Sequence, residues 1–257
     1  MSTSTVLSAR STGAVTTRVL TQLRRDHRTL AMLLVLPCAL MSLLWWMFDA
    51  VPGDGFSSLG PALLALIPFI IMFLVTSVTT LRERTSGTLE RLLAMPMGKL
   101  DFLLGYAIAF GLVAAVQSAL AVGVCVWLLD LTIAGSVWLL MVVAVFDAVL
   151  GTALGLFVSA FARTEFQAGQ FMPAIVFPQL LLCGLFVARD AMPRVLEAIS
   201  DVLPLSYAVD AMTTVSSTTG TGFGGVDSSV WSDLAVVVGF ALAGLALGAA
   251  TLRRRTP

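Results

Sequence analysis

Six apolar runs, each roughly twenty residues long, set the terms on which this chain can fold. About 20 apolar residues cross the ~30 Å hydrocarbon core of a bilayer as a helix. The runs fall at about 30–48, 59–81, 102–129, 136–161, 171–188 and 234–252. Backbone groups in lipid have no water to bond, so helices are the form such runs take. The expected fold is therefore an all-α membrane protein with six transmembrane helices. A hydrophobic content of 58% and a mean hydropathy of +0.97 over 257 residues exclude a soluble domain. The fifth run is short and holds Pro173 and Pro178, which remove backbone donors and kink a helix. Residues 1–14 are rich in Ser and Thr and read as a disordered tail, leaving 15–257 as a single transmembrane domain.

Between the second and third runs lies Leu81 to Pro96, with three arginines and two glutamates from Arg82 to Arg91 in a chain of which only 12% is charged. Such charge cannot sit in hydrocarbon. Ser86 and Thr88 are capping residues, Glu90 supports a first turn, Arg91, Leu92 and Leu93 continue it and Pro96 ends it. The segment reads either as a short amphipathic helix presented to a partner or as an ordinary hydrophilic loop.

Basic residues orient the chain. With the N-terminus inside, the cytoplasmic segments hold five in the N-terminal arm, four at Arg82, Arg84, Arg91 and Lys99, one at Arg163 and three at the C-terminus. That is 13 of 15, leaving Arg189 and Arg194 outside. Both termini are thus expected in the cytoplasm. In the arm, Val15, Val19 and Leu23 recur every four residues with Arg18, Arg24, Arg25 and Arg28 elsewhere on the wheel, the pattern of a basic amphipathic helix in the headgroup layer or of a plain charged flank. Outside, a helix from Pro193 to Pro204 places Val195, Leu196, Ile199, Val202 and Leu203 on one face, and Leu205 to Met212 is apolar but too short to cross. The two read as re-entrant or interfacial helices capping the external mouth, followed by a Gly/Ser/Thr-rich loop from Thr213 to Ser229.

Catalytic chemistry has little to stand on. His27 is a lone histidine among arginines, and Cys38, Cys125 and Cys183 lie inside apolar runs as small hydrophobes. Neither G-x-S-x-G nor H-E-x-x-H occurs, and Gly98-Lys99 is followed by Leu100 where a phosphate loop needs Ser or Thr. The chain is expected to bind neither ATP nor a metal. Asp147 is the residue most out of place, because an ionised carboxylate at mid-membrane costs about 2.5–3.5 kcal/mol. It reads either as a polar contact in a transport path, with a cationic substrate as one occupant, or as half of an inter-helix hydrogen bond. Gln117, Gln170 and Gln179 are softer candidates of the same kind. Phe69, Phe73, Phe171, Met172 and Phe177 read as an apolar lining for a lipophilic substrate or as ordinary packing. Gly151/Gly155 and Gly244/Gly248 are G-x-x-x-G pairs that allow close helix approach somewhere in the bundle.

Taken together, an amphipathic arm, two runs, a charged cytosolic segment, four further runs and an external re-entrant element resemble the ABC-2 type permease subunits of bacterial ABC exporters. E-R-T-S-G-T-L-E-R-L-L-A-M-P, Glu83 to Pro96, is similar to that family's segment after the second span. L-P-L-S-Y-A-V-D-A-M, Leu203 to Met212, is similar to its Pro-Leu-(Thr/Ser)-Tyr segment, with Met212 where a basic residue is frequent. The resemblance implies a type V exporter-like layout in the bacterial plasma membrane, with a cytosolic ATPase subunit in two copies, a second permease as homodimer or heterodimer, and surrounding lipid. It implies no nucleic-acid partner, and ATP and Mg sit on the ATPase. The implied ATPase-coupling residues are Glu83, Arg84, Gly87, Thr88, Glu90 and Arg91, and Arg18, Arg24 and Arg25 lie on the implied connecting helix. The implied cargo is a drug or antibiotic, or else a lipid, glycolipid or polysaccharide. An intramembrane enzyme centred on Asp147 and a non-transporting membrane anchor are the readings from other classes.

Overall fold

The computed structural model describes residues 9–49, 55–85, 99–162, 164–219 and 227–251. Among them every regular element is helical: α1 Ala9–Arg25, α2 His27–Asp49, α3 Gly55–Thr85, α4 Lys99–Trp127, α5 Val137–Ser159, α6 Glu165–Leu182, a 3-10 turn Arg189–Ala191, α7 Arg194–Ser200, α8 Pro204–Ser217 and α9 Ser228–Thr251. Five of these, α2, α3, α4, α5 and α9, are long and apolar enough to cross a membrane. Four of the expected runs match these helices to within four residues at each end. The last helix starts at Ser228, six residues before the expected 234.

α5 is the central post, and small residues put it there. A Cβ on Gly151 or Gly155 would lie 2.5 Å from the carbonyl oxygen of Phe69 or Phe73, so only glycine lets the α3 and α5 backbones approach this closely. On another side, Gly244 and Gly248 of α9 rest at ordinary contact distance on Ala153 and Phe157. The two G-x-x-x-G pairs thus serve two different seams of one helix. α2 lies at the periphery with Val35, Leu43 and Trp46 exposed, and beyond its first turn, which exposes His27 and Arg28, this outer face is apolar and suited to lipid.

α1 docks along the start of α4. Val15, Val19 and Leu23 form its buried stripe, as their spacing requires, and Val15 occupies the space a Cβ at Gly105 would need. The helix starts at Ala9 and not at Val15, so residues 9–14 are helical where a disordered tail was expected. Tertiary bonds carry it on: the Thr12 hydroxyl donates to Asp101 (3.5 Å) and the Thr16 hydroxyl to the Gly105 carbonyl (3.2 Å). The end of the bundle carrying α1 is called here the arm end, and the opposite one the far end.

The fifth run folds differently from its reading as 171–188. Its helix runs from Glu165 to Leu182, capped by Thr164, whose hydroxyl accepts from the Gln167 amide (3.1 Å). Glu165, Gln167 and Gln170 enter the helix and lower its hydropathy, while Gly184 at φ +93° turns the chain away after Cys183. At the far end, Pro204 begins a helix instead of ending one, at the first-turn position where its missing amide costs nothing. α8 extends to Ser217, into the stretch expected to be loop, and its Leu205, Ala208, Val209 and Met212 are fully buried or nearly so. The apolar face of α7 points outward, with Val195 72% exposed and Leu196 and Ile199 exposed too, while Ser200 is turned inward.

Candidate functional site

Three sets of polar groups stand out from the apolar bundle. The first is at the arm end, where α3 runs on past the expected boundary at Leu81 to Thr85, carrying Arg82, Glu83 and Arg84 as its last turn. Glu83 is only 5% exposed and lies 3.9 Å from the Arg18 guanidinium of α1. Arg82 points the other way and makes a two-pronged pair with Glu165 of α6, at 2.8 and 2.9 Å. The Arg82 hydrogen bonds hold the Glu165 carboxyl below the usual glutamate range. Arg24 and Arg25 are exposed in the last turn of α1, as a helix C-terminus favours.

A single non-helical residue, Asp26, joins α1 to α2. Its carboxylate accepts from the Thr29 hydroxyl (2.6 Å) and the Thr29 amide (3.2 Å), capping α2. The side-chain bond from Thr29 is the main cause that holds Asp26 below its ordinary value. An open groove of about 700 Å³ runs over the outer face of α1 past Thr17, Arg18, Gln22 and Arg25. Of the expected coupling residues, Gly87, Thr88, Glu90 and Arg91 lie outside the described residues, as does the side chain of Arg84. The helix expected after Ser86 lies there too.

The second set is in the core. Asp147 on α5 and Gln117 on α4 are both fully buried, and none of their four side-chain polar atoms finds a hydrogen-bond partner among the described residues. Neighbouring hydroxyls do find partners, the Ser118 hydroxyl donating across to the Ala144 carbonyl (3.0 Å) and that of Thr152 back to Ala148 (3.0 Å). Among the aromatic candidates, Phe69 and Phe73 are stacked at 6.5 Å and fully buried under the α5 glycines, so within one chain they are packing residues. Phe171 and Met172 are half-buried on α6, and Phe177 and Gln170 are exposed there. Gln179 is buried and works structurally: its amide nitrogen donates to Ile175 (3.1 Å) and its oxygen accepts from the Leu205 amide (3.4 Å).

The third set was missed by reading the sequence. Arg189, counted there only as an external charge, binds Asp201 and Asp210 at once and stacks on the Tyr207 ring, 5.0 Å from its centroid. The Tyr207 hydroxyl donates to the Asp201 carbonyl (2.8 Å), and the Ser200 hydroxyl donates to the Leu182 carbonyl (2.7 Å). Burial pushes the Asp210 carboxyl up from its ordinary value, with the Arg189 bond opposing only part of that. This knot ties the end of α6 to α7 and α8. A cleft of about 380 Å³ lies beside it, lined by Leu59, Ala62, Val209, Asp210 and Thr213 among others. The only signal for the knot in the sequence is that Arg189, Asp201 and Asp210 are charges flanked by apolar segments. Their spacing of 12 and 21 residues follows no local rule.

Comparison with known proteins gives these sets a common setting. The sequence profile of the family described as ABC-2 type transporter matches residues 10–216. The Escherichia coli K12 protein described as "Probable multidrug ABC transporter permease YbhR" is 30% identical over 152 residues, 58% of this chain and 41% of its own length. "Inner membrane transport permease YhhJ" of the same strain is 28% identical over 141 residues, 54% of this chain and 38% of its own length. "ABC transporter G family member 20" of Dictyostelium discoideum is 27% identical over 154 residues, 60% of this chain and 21% of its own length. The chain matches less than half the length of each of these relatives. The profile covers most of the chain, from the α1 arm through α8. This multi-pass membrane protein belongs to the ABC-2 type transporter family.

Proposed function

We propose that this chain is the permease subunit of an ATP-driven exporter that moves lipophilic compounds, drugs or antibiotics foremost, out through the plasma membrane. The observation that carries the reading is the arm end. There α1, the last turn of α3 and the first turn of α6 meet through the Arg18–Glu83 and Arg82–Glu165 pairs, immediately before the charged stretch that continues to Arg91. Displacement of that stretch by a partner reaches three helices at once. In this reading Glu83, Arg84, Gly87, Thr88, Glu90 and Arg91 receive a cytosolic ATPase subunit, with Arg18, Arg24 and Arg25 beside them. ATP and Mg are handled by that partner, and this chain supplies the path.

The topology in this proposal has six crossings. α6 is the sixth crossing helix, since it begins beside Arg82 at the arm end and finishes beside Ser200 at the far end. Both termini then lie in the cytoplasm, α7 and α8 cap the outer mouth, and a second permease, identical or not, completes the path. The word multidrug in the name of the relative YbhR supports a drug cargo, while a lipid, glycolipid or polysaccharide is the competing cargo. The test is ATPase activity of the reconstituted permease–ATPase complex with drugs and lipids compared. Stimulation by lipophilic drugs is expected, and no response to any of them removes drugs as the cargo. Charge reversal at Glu83 and Glu90 is expected to release the ATPase on purification, and intact association after that reversal removes the coupling assignment.

A further inference from the structure

α6 is held in a way that sets it apart. It buries three of its 18 residues, Ala168, Val176 and Gln179, whereas α5 buries fourteen of 23. It leans chiefly on α3, so little close packing, the main non-polar tie between helices in lipid, keeps it in place. Polar ties near its two ends fix it: Glu165 in its first turn to Arg82 of α3, Gln179 and Leu182 in its last turn to Leu205 and Ser200, and, beyond the Gly184 turn, Arg189 to Asp201 and Asp210. Between these ties Pro173 and Pro178 each lack the amide that would bond one turn back, which is where a helix bends at least cost. The post at the far end is firm. α8 buries Leu205, Ala208, Val209 and Met212 in the bundle, and near its other end the Ser216 carbonyl accepts from the Ala134 amide (2.8 Å).

We propose that α6 is a hinged lever, with the Arg82–Glu165 pair as the joint through which displacement of the α3 end enters it and the Arg189 clasp as the catch that sets its resting position. The proposal rests on the reading that a partner ATPase displaces the segment after α3. Ion pairs suit this use, because a directional charged contact is broken and remade in a new position more readily than a packed seam such as that of Gly151 and Gly155. A helix bonded by glycine contact along its length has no such freedom.

The test is a distance measurement in the complete complex with its ATPase, reconstituted in lipid. Spin labels go on Leu181→Cys of α6 and Trp138→Cys of α5, both exposed, with the half-buried Cys38 changed to Ala and labelled subunits diluted in unlabelled ones. Between nucleotide-free and ATP-trapped states the Leu181–Trp138 distance is expected to shift on the order of 5 Å, one helical turn. A reference pair, Trp138→Cys with Leu242→Cys of α9, is expected to stay put. Arg189→Gln broadens the Leu181 distribution before nucleotide is added, and Arg82→Gln abolishes the shift while ATP is still hydrolysed. Arg82→Gln alters an exposed pair and carries the test where Arg189→Gln disturbs folding. An unchanged Leu181 distance across the ATP cycle, or a full shift in Arg82→Gln, overturns the lever. Failure to export any cargo counts against the export reading instead, and the distances still decide the lever.

Discussion

α5 and α6 are consecutive helices joined by a short connection, yet they are held by opposite means. α5 is fixed along its length by backbone-close glycine contacts to α3 and by α9 on another side. α6 buries only three of its residues and is tied near its ends by polar contacts, an ion pair at Glu165 and hydrogen bonds at Gln179 and Leu182. Dense packing forbids intermediate positions, because every atom displaced leaves a void or a clash, whereas charged ties specify end points and leave the middle free. If α6 is the lever proposed above, the difference separates the part of the molecule that keeps its shape from the part that changes it.

The sharpest way to break the comparison is to fill the seam. Gly155→Leu places a side chain where the Phe73 carbonyl lies, and a cost of about 3 kcal/mol or more is expected, seen as loss of folded protein in detergent and a collapsed melting temperature. A folded, stable Gly155→Leu protein shows the α3–α5 seam to be slack. Next in size is Asp147→Leu. With no partner for either oxygen among the described residues, removing the carboxylate is expected to stabilise the bundle, by at most about 2.5–3.5 kcal/mol, the cost of an ionised group at mid-membrane. Destabilisation in thermal unfolding means that Asp147 has a partner and that the rigid region depends on it.

On the α6 side, Arg189→Gln removes charged hydrogen bonds from a half-buried knot and is expected to cost about 1.5–3 kcal/mol, measured as a lower melting temperature. The smallest effect belongs to Arg82→Gln, since exposed pairs contribute at most about 1 kcal/mol. Its pH dependence has a definite sign. Glu165 is held below the usual glutamate range in the folded state, so its contribution is present above that range and fades as pH falls through the lowered value. Acid titration of stability is therefore expected to show a small loss in the native protein that Arg82→Gln lacks.

Much of the bundle was legible because hydrocarbon imposes one rule on every crossing helix. Runs such as 136–161 and 102–129 declare themselves by composition alone, and the arm did so through Val15, Val19 and Leu23. Where the rule weakens, so did the reading. The fifth run was misplaced because Glu165, Gln167 and Gln170 look like a loop until Arg82 is found opposite them. The apolar face of α7 was legible as a face, but its outward direction was not, because the inward position belongs to Ser200 through its bond to Leu182. The glycine pairs were visible, but only the structure assigns one to α3 and the other to α5. The Arg189 knot joins residues 12 and 21 positions apart across three elements, and no local pattern encodes such a meeting.

The single-residue joint at Asp26 bears on how force enters the molecule. With α1 pinned to α4 through Val15 and Gly105, and α2 starting at once beyond a capped Asp26, there is no length of chain to take up slack. In the proposed exporter the arm would act as a crank, a push across α1 reaching α2 as torque in the same stroke. Inserting two glycines after Asp26 would turn that crank into a loose string while leaving every packed contact available.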